Sequence, residues 1–429
     1  AYSYTVNKAW TDFFKEGGTG RTYVDITDGF VTWNVEDSKI EAFAKDAEEY
    51  AKNLTALKTY EAKADGDYTF AGLDAGYYLV TSSMGTKATV GTTPSTPNPA
   101  IQEKNVAPSN EKKVEENSKA NTDQAYGKTN DAMIGDTVNF QSTITAQAGA
   151  ENYVFHDTMD KGLTFNENSV KVELHRDEKT EPVATTKYTV KTKQANPEDV
   201  TDNCTFEVKF TQEFCNTLQP GDQIVISYTA TLNANAVIAG AGNTNKSHVT
   251  YGEKNTATPD STTTTHTWEV TVFKYAMKEN KETGLVGAIF TLCMDDKGEK
   301  PIKLEAVTGK DNVYRFATAG TVTEITTPAT GEFTIQGLDS GTYYLFEKTA
   351  PAGYNTLKDP VKIVISKDGK INVTEQNVGG VDQIKVENKS GALLPSTGGM
   401  GTTIFYVLGG ILAVGAAVLL VTKKRMERG

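Results

Sequence analysis

Residues 341–354 read Gly341-Thr-Tyr-Tyr-Leu-Phe-Glu-Lys-Thr-Ala-Pro-Ala-Gly-Tyr354. Successive side chains of a strand point to opposite faces, so Tyr343, Leu345 and Glu347 share one face. Most of the chain is written the same way, in short runs rich in Val, Thr, Tyr and Ile broken by Gly, Asn, Asp and Pro. That pattern reads as β-sandwich modules. The expected fold is mainly β, a rod of tandem immunoglobulin-like sandwiches. One helix is expected in the N-terminal module, where Ile40, Phe43, Ala44, Ala47, Tyr50, Ala51 and Leu54 follow i, i+3, i+4 spacing.

The face that carries Tyr343 and Leu345 ends on a carboxyl, and the same misfit occurs twice more. Trp268, Val270 and Val272 are in phase with Lys274, and Ile384 and Val386 with Asn388. Burying an amine, a carboxyl or a carboxamide alone costs several kcal/mol. These are either three polar ends of strands close to solvent, or three groups that meet. If they meet, burial strips the lysine of its proton and makes it a nucleophile. A buried Glu keeps its proton, polarises the Asn carbonyl and shuttles protons. The amine then displaces ammonia, leaving an intramolecular isopeptide bond.

Lys274, the stretch Leu285-Val-Gly-Ala-Ile-Phe-Thr-Leu292 and the segment Tyr344–Tyr354 resemble, in that order, the Cna-B-type domain of Gram-positive pilins. The YxLxExxAPxGY pattern is similar to the pilin E-box, with Glu347 in the catalytic place. The resemblance implies a Lys274–Asn388 crosslink. Upstream, Lys112 is in phase with Val114, whereas Lys113 faces the other way; Tyr153, Phe155 and Asp157 share a face, as do Asn245, Ser247, Val249 and Tyr251. Residues 108–256 resemble the isopeptide-forming middle domain of backbone pilins, which implies a Lys112–Asn245 bond assisted by Asp157, with Lys113 the rival to Lys112. A weak repeat, Phe70-Ala-Gly-Leu-Asp-Ala-Gly-Tyr-Tyr-Leu79 against Ile335-Gln-Gly-Leu-Asp-Ser-Gly-Thr-Tyr-Tyr-Leu345, relates the first module to the third as strand, Gly-rich turn and strand. It sets Thr81 where Glu347 stands, so no isopeptide bond is expected in the first module.

The C-terminal region fixes the compartment. Ile404–Thr422 has no charge and is long enough to cross a bilayer core as a transmembrane helix, and Lys423, Lys424, Arg425 and Arg428 follow it. Just ahead stands Leu394-Pro395-Ser396-Thr397-Gly398. Pentapeptide, span and basic tail together resemble the sortase sorting signal. Cleavage between Thr397 and Gly398 is implied, with the threonyl carbonyl passed to an amine and the membrane helix a temporary stop. In related pilins the accepting lysine lies at the end of the N-terminal domain. Here Ile101-Gln-Glu-Lys104-Asn105 occupies that place, and it keeps the Lys-Asn but not the Tyr-Pro of the pilin motif.

The chain of 429 residues suits two to four domains. The expected division is an N-terminal pilin domain (1–107, its signal peptide and first strands missing), a middle domain (108–265), a Cna-B-type domain (266–391) and the sorting region (392–429). Thr92–Pro108 and the threonine-rich Ala257–Thr267 read as linkers. A net charge of −12 argues against nucleic acid as a partner. Three cysteines give no disulfide framework, although Cys204 and Cys215 have the option of pairing. His156, His175, His248 and His266 are scattered and form no HExxH or GxSxG setting, so neither turnover enzymology, a cofactor nor a metal is expected. The reading is a shaft subunit of a wall-anchored pilus, whose partners are sortase, further copies of itself, accessory pilins, peptidoglycan and host surface ligands. The alternative is a wall-anchored adhesin or tip subunit.

Overall fold

The computed structural model describes residues 3–390, apart from 63–65, 104–105, 117–124, 148, 150, 197, 199, 253–254, 374–377 and 380–381. Lys104, the pentapeptide Leu394–Gly398 and the apolar span 404–422 lie outside the described residues. Among the described residues no helix is long and apolar enough to cross a membrane.

The N-terminal region combines a three-stranded sheet (Tyr4–Thr5, Val24–Thr27, Phe30–Trp33), the helix Ile40–Ala51 and the hairpin Gly76–Thr81/Lys87–Thr92. The apolar stripe of the helix buries Phe43, Ala44 and Ala47. Phe43 meets Phe13, Trp33 and Tyr23 in an aromatic cluster, with ring centroids 4.7–6.0 Å apart. The two copies of the sequence repeat both carry a left-handed glycine at the matching place, Gly72 and Gly337 (φ +70° and +81°). They differ ahead of it: Glu332–Leu338 is a strand, whereas Phe70 is exposed and outside any strand. The strand expected there does not form.

Two seven-stranded sheets face each other over the next region. One contains Ser109–Glu115, Thr137–Thr145 and Gln223–Leu232; the other contains Val154–Met159, Phe206–Phe210 and Asn243–Tyr251. Their inward residues form one core, including Val114, Phe140, Phe155, Phe206, Ile226 and Val249. The threonine-rich stretch is no linker. Ser261–His266 is a strand, antiparallel to Asn243–Tyr251 and parallel to Thr129–Asp131. Its β-branched residues suit a pleat, and alternate ones, Thr263 and Thr265, are buried. Cys204, Cys215 and Cys293 are free and buried, so the Cys204–Cys215 option is not taken. Cys204 leads into Phe206–Phe210, whereas Cys215 sits on the short helix Gln212–Cys215 after it.

Two six-stranded sheets complete the described chain. The long strand Trp268–Lys278 pairs in parallel with the last strand, Ile384–Glu387, so the beginning and end of this unit lie side by side. Gly341–Thr349 lies in the opposite sheet. The last two units meet at Asp131, whose Oδ2 accepts from the Trp268 indole (3.3 Å) and from Ser340 N (2.6 Å).

Candidate cross-linking sites

The strand Trp268–Lys278 alternates buried and half-buried residues, and its phase carries Lys274 to full burial together with Val270 and Val272. Glu347 reaches the same point from Gly341–Thr349 in the facing sheet. Lys274 Nζ and Glu347 Oε1 are 3.1 Å apart, and the amine sits 5.5 Å from the Phe290 ring centroid. Asn388 follows the last strand, and its Nδ2 donates to Glu347 Oε2 at 3.0 Å and to the Asn355 carbonyl. One carboxyl thus touches the amine with one oxygen and the carboxamide with the other. The loop after the glutamate holds this arrangement: Leu357 N donates to Glu347 Oε2 at 2.8 Å, and Asn355 N donates to the Lys389 carbonyl. Gly353 (φ +89°) lets that loop turn back.

The second cluster joins the facing sheets of the preceding unit. Lys112, Asp157 and Asn245 are all fully buried. Lys112 comes from Ser109–Glu115 in one sheet; Asp157 and Asn245 come from neighbouring strands of the other. Lys112 Nζ donates to Asp157 Oδ2 and contacts the Tyr228 hydroxyl, which itself donates to Asp157 Oδ2. The amine is ringed by Tyr228, Phe140 and Phe155, 4.9, 5.4 and 6.0 Å from their centroids. Lys113 is partly exposed and lies 3.3 Å from Glu111, so it does not enter this cluster. Tyr228 is not among the residues that the sequence analysis singles out. The signal was available, because Tyr228 is in phase with the buried Ile224, Ile226 and Ala230 of its strand.

Burial governs the protonation of Lys112, Asp157 and Lys274. It pushes the Lys112 amine below its ordinary range, against the pull of Asp157, and it pushes the Asp157 carboxyl up, against the pull of Lys112. The pair is therefore driven toward a neutral amine beside a protonated acid. Burial also lowers Lys274, opposed by Glu347. Satisfaction is incomplete in both places. Neither amide atom of Asn245 has a hydrogen bond of normal geometry, nor do Asp157 Oδ1, Lys274 Nζ, Glu347 Oε1 and Asn388 Oδ1. Lys274 Nζ and Glu347 Oε1 still face each other as an ion pair at 3.1 Å, whereas a buried polar group with no partner at all costs about 1–3 kcal/mol. In the N-terminal region Thr81 ends its strand, exposed, where the repeat aligns it with Glu347.

Residues 386–428 match the LPXTG cell wall anchor motif. Residues 269–378 match the SpaA prealbumin-like fold domain. The chain is a cell-wall-anchored extracellular protein processed by sortase, and within it residues 269–378 are a SpaA-type prealbumin-like domain. No curated protein matches the chain at a significant level. Similar solved structures include the pilus 2b backbone protein of group B streptococcus (26% identity, 63% of this chain and 98% of that one, TM-score 0.46). Others are the RrgB pilus backbone of Streptococcus pneumoniae (16%, 66% and 100%, TM-score 0.44) and BcpA, the major pilin subunit of Bacillus cereus (16%, 75% and 87%, TM-score 0.44).

Proposed function

We propose that this chain is the repeating shaft subunit of a sortase-polymerised pilus, stapled internally by two lysine–asparagine isopeptide bonds. The observation that carries the staples is the pairing, twice over, of a buried lysine with a buried carboxyl beside a buried asparagine amide. In each cluster the amine nitrogen attacks the asparagine Cγ. The carboxyl proton goes to Nδ2, the C–Nδ2 bond breaks and ammonia leaves; the amine proton returns to the carboxylate. Lys112–Asn245 ties facing sheets together, whereas Lys274–Asn388 ties the first strand of its sheet to the chain just beyond the last. Tension along a shaft one subunit wide runs through these strands, and the staples oppose their separation.

Subunit joining is assigned to the Thr397 carbonyl as acyl donor and the Lys104 amine as acceptor. Each subunit then enters the shaft through its own sorting signal and receives the next through its N-terminal domain. The domain division at 107/108, 265/266 and 391/392 belongs to the same reading, as do accessory pilins and host surface ligands as partners. The test is a denaturing gel of wall extracts probed for this chain. The expected result is a high-mass ladder that collapses in Lys104→Ala. A single wall-linked band in the unmodified strain overturns the shaft assignment in favour of an anchored adhesin.

A further inference from the structure

One group of side chains outside both cross-linking clusters has the composition and spacing of a metal centre. His156 lies on Val154–Met159, Asp202 and Cys204 just ahead of Phe206–Phe210, and Glu207 on that strand. The ligand atoms they offer all lie within 4.8 Å of one another. We infer that His156, Asp202, Cys204 and Glu207 bind a divalent transition-metal ion of the zinc class, with His248 at its edge.

The carboxylate–imidazole distances match what such an ion requires, and the Cys204–Glu207 edge is slightly longer. Tetrahedral zinc with N, O and S ligands at about 2.0–2.3 Å requires ligand–ligand edges of about 3.3–3.8 Å. His156 Nδ1 is 3.4 Å from Asp202 Oδ2 and 3.4 Å from Glu207 Oε1; Cys204 Sγ is 3.9 Å from Glu207 Oε1; His248 Nε2 is 3.3 Å from Asp202 Oδ2. His156 is 3% exposed, yet its Nδ1 points into the cluster without a hydrogen bond of normal geometry. Its other nitrogen, Nε2, is 2.9 Å from the Thr250 hydroxyl. A metal at Nδ1 requires Nε2 to donate in this contact, as metal-bound histidines do to their outer partners. Asp202 Oδ1 accepts from Cys204 N at 3.2 Å, which turns Oδ2 toward the imidazoles. Glu207 Oε1 accepts from Thr201 N and Oγ1 at 2.5 and 2.7 Å and is held in place. Mixed imidazole, thiolate and carboxylate donors suit zinc far better than calcium or magnesium. On binding, Cys204 releases its thiol proton to solvent and a sulfur–metal bond forms.

The test uses the full chain in detergent, stripped with a chelator and titrated with Co²⁺ and then Zn²⁺. The expected result is one equivalent of Co²⁺ with a thiolate-to-cobalt charge-transfer absorption, displaced by one equivalent of Zn²⁺. Cys204→Ser abolishes the absorption and Cys293→Ser leaves it. Asp202→Asn, at the exposed rim of the cluster, keeps the fold and weakens Zn²⁺ by about tenfold or more. Absence of Co²⁺ or Zn²⁺ uptake by the folded chain overturns the site. So does binding without the thiolate absorption, preference for Ca²⁺, or affinity unchanged in Asp202→Asn.

Discussion

Replacing Asp157 by Asn changes one atom of a fully buried side chain and leaves its volume almost intact. Asp157→Asn therefore removes the proton shuttle beside Lys112 while making no cavity. The staple it prevents closes a loop of about 130 residues between positions 112 and 245, and a crosslink of that span is worth roughly 5 kcal/mol in the chain-entropy model. For a unit of that size, 1 kcal/mol corresponds to about 2–4 °C, so the loss predicts a midpoint lower by about 10–20 °C. Mass spectrometry and calorimetry on the same sample read the two halves of the argument separately. The variant is expected to keep one more ammonia than the parent and to unfold in a separate, lower transition. If the ammonia is still lost, Asp157 is not the shuttle. If the bond is absent but the transition does not move, the energetic argument for the staple fails.

Two further outcomes follow from named contacts. Tyr228→Phe removes the hydroxyl that donates to Asp157 and contacts Lys112, so the Lys112–Asn245 bond forms more slowly while Lys274–Asn388 is unaffected, which time-resolved peptide mapping of freshly expressed chain reads. Asp339 is buried beside Asp131, and burial together with that neighbour pushes its carboxyl from 3.8 up to about 9. The folded chain thus holds a proton that the unfolded chain has lost, and stability is expected to fall as pH rises from about 4 to about 9; Asp339→Asn flattens that slope in denaturant titrations at stepped pH.

How legible all this is from sequence depends on which physical signal each feature leaves. Period-two alternation carries Lys274, Glu347 and Asn388 inward, because a strand gives a side chain only two faces. The same rule separates Lys112 from Lys113. The helix Ile40–Ala51 is legible because its apolar spacing has no strand equivalent. Ser261–His266 reads as linker because a run of four threonines looks like low complexity, although β-branched threonine is a good strand residue in a buried pleat. Tyr228 does not stand out because a tyrosine in a hydrophobic phase looks like core, and only its hydroxyl meets the lysine. The His156 cluster has no sequence signature, since His156 is brought to Asp202, Cys204 and Glu207 by the pairing of strands far apart in the chain.

The central claim, that the two buried clusters are reactants of a completed chemistry, is tested most directly by the intact mass of the mature chain followed by peptide mapping. The prediction is a mass lower than the sequence by two ammonias, with branched peptides joining Lys112 to Asn245 and Lys274 to Asn388. A mass equal to the unmodified chain, or branches at other residues, would contradict it.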